Sequence, residues 1–66
     1  MTTNEIKEAI KSFKVKFGKN PISDELLAEI ANNTGKAADE ADLFDGLDSL
    51  ARAKEVKNEN GRYELI

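Results

Sequence analysis

The chain contains no cysteine, so no disulfide can brace its 66 residues, and the fold must rest on side-chain packing or on a partner subunit. A chain this short buries only about 60% of the surface that its unfolded form exposes. It therefore has room for one hydrophobic core and for no deep substrate pocket. We expect a single domain that spans residues 1–66.

Apolar residues recur at helical spacing near the start of the chain and predict a first helix over residues 4–17. Thr2 and Glu5 fit a capping box at its beginning, and Gly18 stands where a left-handed C-terminal cap favours glycine. Val15 points away from the apolar stripe. The stripe that should face the core consists of Ile6, Ala9, Ile10, Phe13 and Phe17.

A second helix is predicted over residues 24–33, after Asn20-Pro21 interrupts the chain. Ser23 is expected to be its N-cap, and Ile22 and Leu27 fit the two positions of a hydrophobic staple. The residues of this helix expected to face the core are Leu26, Leu27, Ile30 and Ala31.

The third helix should lie within residues 37–53. Gly46 falls in its middle, where glycine costs up to about 1 kcal/mol relative to alanine. A close neighbour or a slight bend would explain that glycine. One face of the helix carries Leu43, Phe44, Leu47, Leu50 and Ala51.

The C-terminal residues predict a β-hairpin with strands over residues 54–58 and 62–66. Asn60-Gly61 between them is the favoured pair for a tight turn with positive φ. An isolated hairpin is marginal in water, so this one should lie against the helices. The fold class is therefore α+β, with three helices followed by a C-terminal two-stranded β-hairpin. The predicted core comprises Ile6, Ile10, Phe13, Phe17, Leu27, Ile30, Leu43, Leu47, Leu50, Val56 and Leu65.

Three stretches of the sequence carry a family resemblance, namely residues 21–31, 43–50 and 56–65. They combine a second helix with a serine cap, a third helix with Leu-x-x-Leu spacing, and a terminal hairpin with an aromatic residue near its end. This pattern resembles the winged helix-turn-helix superfamily, and the first helix suits the first helix of that family. The resemblance implies a winged-helix-like domain; any function it suggests comes by analogy.

Charge is distributed unevenly along the chain, although the net charge is only −3. Residues 1–20 hold five lysines and two glutamates, whereas residues 21–50 hold eight acidic residues and one lysine. Residues 51–66 hold four basic and three acidic residues. A basic start, an acidic middle and a mildly basic end are the strongest functional signal in the sequence.

The acidic residues in the middle of the chain affect whether the third helix can bind DNA. In DNA-binding members of the superfamily this helix enters the major groove. Here its outward arc would present carboxylates to a groove lined with phosphates, whereas DNA binding depends on basic residues that displace counterions. The alternatives are an ordinary solvated surface and a surface that meets a basic protein partner or imitates the charge of nucleic acid. The predicted protein-binding residues are Asp39, Asp42, Asp45, Asp48 and Ser49.

The first hypothesis is therefore a small regulator or adaptor that binds a protein partner through the acidic third helix. The second hypothesis is a homodimeric DNA-binding regulator that touches DNA through the hairpin and the first helix rather than through the third helix. Three lysines fall on one flank of the first helix, and three further basic residues decorate the hairpin. Ordinary solvation explains such residues equally well, because lysines are common at surfaces and strand edges. The predicted nucleic-acid-binding residues are Lys7, Lys11, Lys14, Lys54, Lys57 and Arg62.

The residue types argue against an enzyme and against a metal or cofactor site. There is no histidine, which removes the commonest general base and the commonest zinc ligand. The acidic run over residues 39–46 fails as a calcium loop, because Ala41, Leu43 and Arg52 would fall at liganding positions. Gly35-Lys36-Ala37 lacks the hydroxyl residue and the earlier glycine of a phosphate-binding loop.

The sequence also predicts a cytoplasmic location and no membrane partner. No segment has the length of apolar residues that spans a bilayer. The first residues lack the basic and then apolar pattern of a signal peptide.

Overall fold

The computed structural model describes all residues from Met1 to Ile66 and confirms three helices followed by an antiparallel hairpin. The helices and strands are α1 (Thr3–Phe17), α2 (Ser23–Thr34), α3 (Glu40–Arg52), β1 (Val56–Glu59) and β2 (Arg62–Leu65). None of the three helices combines the length and apolar character needed to cross a membrane.

The beginning and end of α1 follow the predicted capping pattern. The Thr2 Oγ1 atom accepts a hydrogen bond from the Glu5 backbone N–H at 3.1 Å, and Glu5 Oε1 accepts one from the Thr2 N–H at 2.7 Å. Gly18 adopts a φ of 71°, and its N–H donates to the Lys14 carbonyl. These contacts satisfy backbone groups that a helix leaves without partners at its ends.

The predicted N-cap of α2 is wrong by one residue. Ser23 is the first helical residue, and Ile22 is the N-cap. Glu25 Oε1 accepts a hydrogen bond from the Ile22 N–H at 3.0 Å. The side chain that caps the beginning of α2 is therefore the Glu25 carboxylate and not the Ser23 hydroxyl. The staple shifts with the cap: Pro21 and Leu26 are buried, whereas the predicted pair of Ile22 and Leu27 is more exposed.

The core lies where the three helices meet the hairpin. Its buried side chains are Ile6, Ala9, Ile10, Phe13, Leu26, Ile30, Leu43, Leu47, Leu50 and Val56. Leu27 and Leu65 pack against this core but are only partly buried, contrary to prediction. Phe17 was also predicted to be buried, but it is 59% exposed because it lies in the last turn of α1, at the edge of the core. Its ring contacts the Phe13 ring at a centroid distance of 4.5 Å.

Helix α3 turns a narrower stripe inward than its sequence predicts. Leu43, Leu47 and Leu50 are buried, whereas Phe44 and Ala51 are exposed. Gly46 explains this orientation: a Cβ atom at this position would overlap the Cδ1 atom of the fully buried Ile6. The glycine thus allows α1 to approach the flank of α3 that lies away from Phe44. The predicted close neighbour of this glycine is confirmed.

The hairpin has the predicted turn but starts later than predicted. Asn60 and Gly61 have φ values of 57° and 84°, and Val56 pairs with Leu65 across the strands. Lys54 lies outside β1 because it ends α3 in a left-handed conformation, with a φ of 59°.

This end of α3 has the hydrogen bonds of a Schellman motif. The Lys54 N–H donates to the Ala51 carbonyl at 3.0 Å, and the Glu55 N–H donates to the Leu50 carbonyl at 2.9 Å. The backbone therefore reverses at a lysine where glycine is the usual residue.

Strand β2 also contacts the segment that precedes α2. The Tyr63 N–H donates to the Pro21 carbonyl at 2.9 Å, and Ile22 forms a bridge with Arg62. Strand β2 thus lies between β1 and this short segment, and the hairpin is tied to the helices through the backbone as well as through Val56.

Glu29 is the one charged side chain that the fold buries, with an exposed fraction of 5%. It joins α2 to α1: the Ser12 hydroxyl and the Lys16 ammonium group donate to its carboxylate, and Lys16 Nζ lies 2.9 Å from Oε2. Burial raises the pKa of Glu29, but the hydrogen bonds from Ser12 and Lys16 outweigh burial and hold the pKa below its ordinary value of 4.5. The carboxylate is therefore charged in the folded protein at neutral pH.

The Lys54→Gly variant should be more stable than the wild type by about 0.5–1 kcal/mol. Glycine adopts the left-handed conformation without the steric cost that a Cβ atom brings, and this gain exceeds its larger loss of chain entropy. Urea denaturation measures the change. Lys54→Ala is the control, since alanine keeps the strain and should give no gain. Equal stability of the glycine and alanine variants would contradict a strained Lys54.

The Glu29→Gln variant should be less stable at neutral pH by about 1–3 kcal/mol, because it loses charge-assisted hydrogen bonds in a buried site. The folded-state pKa of Glu29 is lowered, so its contribution to stability is complete above 4.5 and is lost as the pH falls through the folded-state value. The difference between wild type and variant should therefore narrow in acid. Denaturation across this pH range measures it.

Glu8→Gln is the control for this measurement, because Glu8 is an exposed carboxylate on α1. It should leave the stability nearly unchanged at every pH. A Glu29→Gln difference that stays constant into the acid range would contradict the proposed role of the Glu29 carboxylate.

Candidate functional site

The predicted protein-binding residues all lie exposed on α3 or at its N-terminal end. We call Asp39, Asp42, Asp45, Asp48 and Ser49 the acidic face. The Asp42 side chain is 61% exposed, and the buried leucines project from the opposite side of the same helix. Asp39 is the N-cap residue, but its side chain makes no capping hydrogen bond and is free to contact another molecule.

Ion pairs within the chain neutralise little of the acidic face. Arg52 lies four residues after Asp48, and its Nη2 atom is 3.1 Å from Asp48 Oδ2. Asp42 Oδ2 lies 3.9 Å from the amino group of Met1, and the carboxylate of each of these two pairs is exposed. Exposed pairs of this kind are weak and screened by salt. The face therefore presents negative charge to the solvent.

Phe44 is an exposed aromatic side chain on the flank of α3, beside the acidic face. It is 42% exposed. Its spacing from Leu43 and Leu47 placed it on the predicted apolar face of the helix. Helical periodicity gives the direction of a side chain but does not show which flank a neighbouring element covers. The sequence pattern did not predict that this aromatic side chain is exposed.

The predicted nucleic-acid-binding residues on α1 are not equally available. Lys7 Nζ lies 2.9 Å from Glu55 Oε1, so this lysine ties α1 to the start of the hairpin. Lys14 Nζ lies 3.9 Å from Glu64 Oε2. Lys11 is exposed and makes no ion pair.

The basic residues of the hairpin show the same pattern. Lys57 Nζ lies 3.1 Å from Glu64 and 3.5 Å from Glu59. Arg62 donates to the Asn20 carbonyl at 2.6 Å and lies 3.5 Å from Glu25. Lys54 is exposed without an ion pair. Of the six predicted residues, only Lys11 and Lys54 are without a carboxylate partner.

Glu64 is the centre of the largest group of these pairs. The hydrogen bond from Lys57 and a further one from the Asn20 side chain lower the pKa of Glu64, and burial opposes them. The hydrogen bond to Glu64, together with the charges of Glu64 and Glu59, raises the pKa of Lys57 above 10.5. Both groups are therefore charged at neutral pH, and Lys57 is paired with a carboxylate of the chain.

Neither candidate surface gathers groups for metal chemistry. No three carboxylates lie close enough together to hold a metal ion. Sequence reasoning could not find the ion pairs of the basic residues, because most of them join residues that are distant along the chain.

Comparison with known proteins identifies no relative: no protein family, no curated protein and no solved structure matches the chain.

Proposed function

We propose that this protein is a small non-enzymatic binding module of the winged-helix type, a cytoplasmic regulator or adaptor that binds a basic protein through its acidic face. One observation carries the proposal: the four aspartates and Ser49 are all exposed on α3 or at its start, while the leucines of the same helix anchor it in the core. The acidic surface is thus held on a rigid element.

Phe44 supports a protein partner in particular. Protein interfaces are enriched in aromatic side chains at their centres and have polar residues around them. Phe44 lies on α3 between Asp42 and Asp45 in sequence and is partly exposed. A basic partner with an apolar depression would match both the charge and the aromatic group.

The paired basic residues count against the alternative, a regulator that binds DNA through α1 and the hairpin. DNA affinity arises largely from cations that neutralise phosphates and release counterions. Four of the six candidate cations already contact carboxylates of the chain. These pairs are exposed and weak in themselves, but each would place a carboxylate near a bound phosphate, and that repulsion disfavours DNA.

The Asp42→Lys/Asp45→Lys double variant should lose the protein partner. Both side chains point into solvent, so each change should cost under about 0.5 kcal/mol of stability. The measurement is a quantitative pull-down from the native host extract with wild type and variant as baits. Any partner that depends on the acidic face should be recovered in smaller amounts with the variant than with the wild type. In parallel, the variant should bind mixed duplex DNA more tightly than the wild type, with a steeper salt dependence.

The matched control is Glu8→Lys/Asp24→Lys, which makes the same change in net charge at exposed acidic residues off the acidic face. It should retain the partner. Loss of the partner in both double variants would show an effect of net charge and would contradict a specific site on α3. Tight, sequence-specific DNA binding by the wild type that the Asp42→Lys/Asp45→Lys variant retains, with no partner that depends on the acidic face, would overturn the proposal in favour of the DNA-binding alternative.

A further inference from the structure

A groove of about 320 Å³ lies between α1 and β2, on a surface that the proposed function does not use. Ile10, Val15 and Leu65 form its apolar part, and two lysines, Lys11 and Lys14, line it together with Asn20 and Glu64. Val15 is 80% exposed, the largest exposed fraction among the large apolar residues of the chain. A single exposed valine is unremarkable, but here it adjoins an apolar depression and two cations.

The charges around this groove favour an acidic occupant. Lys11 makes no ion pair, and Lys14 lies 3.9 Å from Glu64, which also binds Lys57 at 3.1 Å. The Glu64 carboxylate is thus shared among several donors, and the charge of the two lysines is only partly neutralised. An occupant would need an apolar side chain for the depression and carboxylates for the two lysines.

The chain itself carries a segment with these properties. Helix α3 presents Phe44 as an exposed aromatic group, with exposed carboxylates at Glu40, Asp45 and Asp48 around it. An aromatic side chain among carboxylates complements an apolar groove among lysines, both in polarity and in charge. We propose that the groove binds α3 of a second copy of this chain, with Phe44 in the depression and Asp45 next to Lys11.

This contact joins two different surfaces, so it is head-to-tail and forms rings or open chains of copies. It also covers the acidic face that we propose for a basic partner. Self-association therefore competes with partner binding and keeps the acidic face covered at high protein concentration. The self-association does not require the basic partner to exist, because it depends only on the groove and on α3.

The interface is small, so we expect association at protein concentrations of about 0.1–1 mM. Sedimentation velocity and a concentration series of NMR spectra measure it, with the methyl groups of Val15 and Leu65 and the ring of Phe44 as reporters. Raising the salt from about 0.05 to 0.5 M should weaken association at least ~5-fold, because exposed charges are screened. Signals of the groove and of α3 should shift together as concentration rises.

Two charge variants identify the surfaces that meet. Lys11→Glu alters the groove only, and Asp45→Lys alters α3 only; each should weaken self-association by roughly tenfold. A mixture of the two should regain association, since the intact groove of the Asp45→Lys chain can bind the intact α3 of the Lys11→Glu chain. Val15→Asp should abolish association without affecting the fold, because Val15 is exposed.

Monomers at every concentration would overturn this proposal, and so would self-association that neither charge variant weakens or a mixture that fails to recover. The Val15→Asp variant separates this proposal from the proposed function. It should still retain a basic partner in the pull-down, because its acidic face is unchanged. If the Val15→Asp variant no longer self-associates but still binds the partner, both proposals are supported. If the wild type self-associates but no partner depends on the acidic face, only the self-association proposal is supported.

Discussion

The close approach of α1 and α3 at Gly46 is the contact on which the rest of the structure depends. The Ile6 side chain occupies the space that a Cβ atom at position 46 would need, and Ile6 is fully buried there. The approach turns Leu43, Leu47 and Leu50 inward. With these leucines buried, helical geometry turns the aspartates of α3 toward solvent.

The two signs of charge have different roles in this fold. Lysines and arginine of α1 and the hairpin contact carboxylates on other elements, as in the pairs of Lys7 with Glu55 and of Lys57 with Glu64. The pairs of Lys7 with Glu55 and of Lys14 with Glu64 link α1 to the hairpin region, and the backbone bond from Tyr63 to Pro21 links the hairpin to the segment before α2. The carboxylates of α3 have few such partners. Four of the six basic residues predicted to bind DNA are paired within the molecule, against two of the four aspartates of the acidic face.

Local patterns in the sequence predicted the local parts of the structure. The Thr2 capping box and the Asn60-Gly61 turn depend on residues a few positions apart, and both are confirmed. The outward direction of Asp42 and Asp45 followed from helical geometry alone. Such features need no knowledge of how the elements pack against one another.

Most features that sequence reasoning missed depend on packing between elements, although the shift of the α2 N-cap from Ser23 to Ile22 is local. Phe17 and Phe44 have the spacing of core residues, but no neighbour covers them fully. Glu29 is polar yet buried, because Ser12 and Lys16 on another helix supply its hydrogen bonds. Helical periodicity cannot show which side chains a neighbouring helix covers or which carboxylate pairs with which lysine.

A double-mutant cycle between Gly46 and Ile6 tests the central contact most directly. Intrinsic propensity alone favours Gly46→Ala by about 1 kcal/mol. We predict instead that this variant is less stable than the wild type, because the new methyl group meets the Cδ1 atom of Ile6. Ile6→Val removes that atom at a cost of about 0.5–1.5 kcal/mol. The free energy of unfolding of the double variant should exceed the additive expectation by about 0.5–3 kcal/mol. A stabilised Gly46→Ala variant, with costs that simply add in the double variant, would contradict the account.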